Sequence, residues 1–108
     1  MEDLLAHFVP KFAAVAKTRV VRGLEIAAQR DHEAAADTVR DLHAVAGEAG
    51  LLGLNALVPL ARDSEEKAKR LRATRSAEDA EALYSSLTEL KRAIELVAPA
   101  NQPDGGRS

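Results

Sequence analysis

The sequence predicts an all-α fold: an antiparallel up-and-down four-helix bundle with a short extra N-terminal helix. Three observations carry that prediction. Alanine, leucine, glutamate, arginine and lysine dominate the 108 residues, with only three aromatics among them, a composition of strong helix formers. Apolar residues recur at steps of three and four in long segments, as one face of a helix requires. No stretch keeps the period-two alternation of a half-buried strand.

Residues 1 to about 9 read as the short helix, with Leu4, Leu5 and Phe8 on one side. Pro10 interrupts it, because proline is tolerated in a first helical turn and damaging deeper in. A new helix start or a kink belongs there. From Lys11 to about Arg30, Phe12, Ala16, Val20, Leu24 and Ala27 form one stripe. Gly23 sits beside that stripe at a cost of about 1 kcal/mol against alanine, which fits close helix packing. Asp31 is a candidate N-cap, and Glu33 suits the positive start of the helix that follows. That helix spans His32 to about Leu52, with Ala35, Val39, Leu42, Val45 or Ala46, Ala49 and Leu52 inward.

Asn55 is the candidate cap of the next helix, with Pro59 in or just past its first turn. Leu57, Leu60, Ala61, Ser64, Ala68 and Leu71 point inward there, and Arg62, Asp63, Glu66, Lys69 and Arg70 outward. Ser76 and Asp79 form a capping-box pattern with aspartate in the glutamate position. The last helix turns Ala80, Leu83, Leu87, Leu90, Ile94 and Val97 to one side. Short connections make antiparallel neighbours. The bundle should occupy residues 1–98, and the proline, glycine and polar residues of 99–108 read as a disordered tail or a linker.

Composition excludes several functions. A net charge of −2, interspersed along the chain, gives no basic footprint for nucleic acid. Without cysteine there are no disulfides or thiolate metal sites. No basic-then-apolar leader opens the chain, and no apolar run approaches the roughly 18 residues of a membrane span. A cytoplasmic protein, with neither membrane nor nucleic acid as partner, is expected. His7 and His32 do not lie three or four residues from His43, so no paired metal ligands arise on that helix, and no metal site is expected. No nucleophile elbow or strand supports a hydrolase.

What remains is His43. Ala36, Arg40, His43, Gly47, Gly50 and Leu54 follow one another at steps of four and three, beside the core stripe. Gly47 and Gly50 together cost roughly 2 kcal/mol of helix propensity. A merely buried histidine needs no such clearance, whereas a ring that must meet another molecule does. Gly53 is explained as a helix C-cap.

The stretch His43-Ala44-Val45-Ala46-Gly47-Glu48-Ala49-Gly50-Leu51-Leu52-Gly53 resembles the signature of histidine phosphotransfer (HPt) domains of two-component phosphorelay signalling. His43, Gly47, Leu52 and Gly53 match at the family's offsets, and Ala46 stands where a lysine is common. The length and the expected helix order fit the whole chain. The resemblance implies that His43 is the phosphoacceptor and phosphodonor, that Gly47 clears space beside it, and that the partners are a response-regulator receiver domain and a histidine kinase. It implies no ATP site and no cofactor in this chain, since the magnesium ion belongs to the partner receiver domain. It implies a monomer, and a docking flank drawn from Ala36, Ala44, Gly47, Gly50 and Leu51. In related domains of chemotaxis kinases a glutamate on the next helix orients the imidazole. Glu65 falls at that offset, as an orienter or as one more solvated charge. Arg40, one turn before His43, either supplies the positive charge that Ala46 lacks or is a solvated arginine. Two other readings stand beside the carrier: an HPt-like binding module that docks a receiver or kinase domain without phosphotransfer, and a plain helical adaptor. The chain can equally be one domain of a longer kinase.

Overall fold

The computed structural model describes the backbone of residues 2–98 and the side chains of residues 6–98. The side chains of Leu4 and Leu5 and the expected tail at 99–108 lie outside the described residues. Four helices follow in order: α1 (Glu2–Ala28), α2 (Ala35–Leu51), α3 (Leu57–Thr74) and α4 (Ala77–Val97). Each packs against its two neighbours in the ring α1–α2–α3–α4–α1, which makes a four-helix bundle.

The extra N-terminal helix is not separate, because α1 runs unbroken through Pro10. Proline removes one intrahelical donor. The ring of Pro10 is exposed, where a freed carbonyl can bond to water, and Phe12, Ala13 and Ala16 in the next turns are anchored in the core. Tertiary packing outweighs the local defect.

The core joins leucines from three helices, Leu42, Leu57, Leu71, Leu83, Leu87 and Leu90, to Val20, Val45 and Ile94. Each buried leucine contributes about 2 kcal/mol of transfer free energy. Alanines fill the remaining helix contacts, among them Ala16, Ala35, Ala49, Ala61 and Ala68, and let the backbones approach. Leu24, Val39, Leu52, Leu60 and Val97, expected inward, are only partly buried at the edge of this core. Gly23 does serve close packing. A Cβ there would stand 3.0 Å from Leu87 Cδ1 and 3.3 Å from Thr38 Cγ2.

Helix ends differ in detail from expectation. Asp31 Oδ1 does accept the backbone N–H of Ala34 at 3.1 Å, but residues 32–34 form a turn and regular helix begins only at Ala35. His32 therefore precedes α2. Asn55 is not the cap of α3: Ala56 holds that position without a side-chain bond, and Pro59 sits in the first turn, where its missing N–H costs nothing. Ser76 caps α4, accepting the N–H of Asp79 at 3.0 Å. The reciprocal half of the box is absent, since the Ser76 N–H goes to Thr74 Oγ1 instead.

The end of α2 follows the Schellman pattern. Leu54 N–H donates to Ala49 O at 2.8 Å, Gly53 N–H donates to Gly50 O at 3.1 Å, and Gly53 takes φ +76°. That termination lets the chain reverse and brings α3 alongside α2.

Candidate functional site

His43 stands on the α2 flank between α1 and α3. The two sides of α2 are used differently. On the α1 side, Glu48 pairs with Arg19 at 3.5 Å and Asp41 with Arg22 at 3.7 Å. Toward the core, Val45, Ala46 and Ala49 are buried. The strip left over carries Arg40, His43, Gly47, Gly50 and Leu51, all exposed.

The His43 side chain is 71% exposed, yet its Nδ1 meets Glu65 Oε2 at 3.2 Å. Glu65 is not a solvated charge. Its side chain is only 9% exposed, because its place on α3 lies in the buried stripe with Ala61, Ser64 and Ala68. Burying a carboxylate is costly unless it is paired. The partners surround it: His43 on Oε2, Lys69 Nζ at 3.8 Å from the same oxygen, and Arg62 Nη1 at 3.9 Å from Oε1.

This geometry has a chemical consequence. An ionised carboxylate only accepts hydrogen bonds, so the contact places the imidazole proton on Nδ1. Nε2 then keeps its lone pair, on the ring edge away from Glu65. The site thus presents an oriented nitrogen nucleophile at the surface, held from behind by a buried acid.

Gly47, one turn past His43, has nothing within 4 Å of where a Cβ would be. At Gly50 the nearest atom is Val58 Cγ2, at 3.9 Å, an ordinary contact. Neither glycine is required by packing within the chain. Of the residues expected on the docking flank, Ala36 and Ala44 are partly buried, Gly50 is exposed, and Leu51 is 87% exposed. Leu51 also borders an apolar groove with Phe8, Phe12, Val15 and Leu52, edged by Lys11 and Glu48. The contribution of α1 to this surface is visible only once the helices are packed.

Arg40 is exposed and forms an ion pair with Asp37 on its own helix. Lys69, assigned by its phase to the outside of α3, is exposed there and also shares Glu65 with His43. A sequence signal existed: Lys69 is four residues past Glu65, which puts both on one helix face. Among the described residues no group of three or more His, Cys, Asp or Glu side chains could hold a metal ion. No helix there is long and apolar enough to cross a membrane.

A scan against protein-family models and searches of curated proteins and of solved structures returned no match to this chain. The resemblance to histidine phosphotransfer domains rests on the motif residues quoted above.

Proposed function

We propose that this chain is a histidine phosphocarrier of a two-component phosphorelay, with His43 as the group that takes and gives the phosphoryl. The observation that carries the reading is the His43 Nδ1–Glu65 Oε2 contact at 3.2 Å on a ring that is otherwise exposed. The partners are a receiver domain bearing an aspartyl phosphate and a histidine kinase, and the setting is the cytoplasm. The lone pair of His43 Nε2 attacks phosphorus, and the bond from phosphorus to the aspartate oxygen breaks. Its electron pair stays on the aspartate, which leaves as a carboxylate. The proton remains on Nδ1, and the positive charge gained by the ring faces the Glu65 carboxylate. Such transfer asks mainly for in-line positioning and charge stabilisation, so no ATP site is needed. Return of the phosphoryl is the same step reversed, and magnesium in the receiver neutralises charge on the other side.

Gly47 leaves room for the incoming domain, and Ala36, Ala44, Gly50 and Leu51 provide its docking flank. A second reading, docking without transfer, is favoured by one feature: Ala46, in the position of the family's common lysine, is 1% exposed and apolar. Incubation with phosphorylated receiver domains and with phosphoramidate separates the two. A carrier gains acid-labile phosphate on His43, and His43→Gln gains none. A wild-type chain that binds receivers but takes label from neither donor is a docking module.

A further inference from the structure

We infer that Lys69, reaching across from α3, is the cation that accompanies the phosphoryl group at His43; this rests on the phosphocarrier reading above. Ala46 supplies no charge, and a negatively charged phosphoryl on Nε2 needs a positive neighbour more than a neutral ring does. Arg40 pairs with Asp37 on its own helix and, among the described contacts, reaches neither His43 nor Glu65. Lys69 Nζ instead lies 3.8 Å from Glu65 Oε2, the oxygen that meets His43 Nδ1 at 3.2 Å, so ammonium and imidazole are neighbours across a single atom. Arg62 approaches the other carboxylate oxygen.

Lys69 is also free to move. Its side chain is 51% exposed, and its second contact, Glu66 Oε2 at 3.3 Å, is a surface pair on the same helix. Pairs of that kind contribute little, and a lysine is a point charge on a flexible four-carbon stem. Beside it opens a groove between α2 and α3 lined by Val39, Lys69, Arg72 and Ala73, so a second cation, Arg72, lines the same groove. The groove begins one turn before His43 on α2. When Nε2 carries phosphate, Lys69 exchanges Glu66 for a phosphoryl oxygen while Glu65 keeps the ring in place. The α3 helix thereby provides from the facing side the charge that position 46 does not.

The test uses the whole chain and potassium phosphoramidate, a small donor that needs no partner protein. His43 Nε2 attacks the phosphorus of its N-protonated form, the P–N bond breaks, and the nitrogen, already bearing three protons, leaves with its electron pair as ammonia. Labelling is followed by ³¹P NMR. Lys69→Ala should slow labelling roughly tenfold. Lys69→Arg should stay within about threefold of wild type, and Arg40→Ala within about twofold, since a flexible exposed cation acts mainly through its charge. Added salt should slow the wild type more than Lys69→Ala, because screening removes what the variant already lacks. Unfolding temperatures should match. Wild-type labelling in Lys69→Ala overturns the proposal while leaving the carrier intact. Equal slowing in Lys69→Ala and Lys69→Arg, with a lowered unfolding temperature, assigns Lys69 to packing and overturns it too. An unlabelled wild-type His43 removes the carrier reading, and the role of Lys69 with it.

Discussion

At the scale of single residues, the site depends on a contrast between Glu65 and Gly47. Glu65 is a charge placed where burial is costly, and Gly47 is an absence of side chain where nothing inside the molecule asks for one. Both cost folding free energy, and both surround His43. For Gly47 the two roles separate by experiment. Gly47→Ala should stabilise the fold by about 1 kcal/mol, since alanine is the better helix former and its Cβ meets open space. Phosphoramidate labelling should hardly change, whereas transfer from a phosphorylated receiver domain should fall about tenfold as the methyl group meets the docked partner. Chemical denaturation and transfer kinetics on one variant give both signs. Unchanged receiver transfer would remove the clearance role.

At the scale of elements, the helix ends carry the fold's local chemistry. The connection between α3 and α4 is held by a cluster of polar side chains, Thr74, Ser76 and Asp79. Asp79 there is held below its ordinary carboxylate value, first by the Thr74 hydroxyl, then by Ser76 and Arg70, against opposing burial. Asp63 is lowered first by its hydrogen bond from Lys67, and Glu95 first by that from Lys17. Carboxyls depressed in the folded state stabilise it above their unfolded values, and that contribution is lost as pH falls through the folded ones. Stability should therefore hold from neutrality to about pH 5 and decline below about pH 4. Asp79→Asn should make that decline shallower, read as urea midpoint against pH. An unchanged profile would show that Asp79 contributes no linkage. Ser76→Ala removes the α4 cap and should cost about 1 kcal/mol near neutrality, and less in acid, because Ser76 also helps to hold Asp79 down.

At the scale of the whole molecule, alanine and glycine set how closely the helices approach. Gly23 is the most closely packed of the described glycines, where α1 faces Thr38 of α2 and Leu87 of α4, both fully buried. Neighbours packed that closely give little. Gly23→Val should destabilise by about 1–3 kcal/mol through overpacking, measured by urea denaturation. A neutral result would mean that α1 can shift outward. Since α1 also borders the groove beside Leu51, such a shift would change that groove as well.

Much of this molecule follows from order and spacing alone. The three-and-four spacing delivered the four helices and most of their buried faces, because amphipathic periodicity is a local property of the chain. It also put His43 beside the core and Gly53 at a helix end. The new helix start expected at Pro10 was misplaced because local propensity says nothing of Phe12, Ala13 and Ala16, whose burial keeps α1 continuous. The start of α2 and the cap of α3 were misplaced for a related reason: Ala34 and Ala56, which have no capping side chain, stand at the two helix starts, so backbone packing and not a capping residue sets those boundaries. The offset from His43 to Glu65 was legible, but two readings fitted it equally. Only the antiparallel packing of α3 on α2 decided that Glu65 is buried against the imidazole, and that Lys69 reaches the same oxygen. Burial and contact across helices depend on how faces meet in space, and helical phase within one segment does not contain that information.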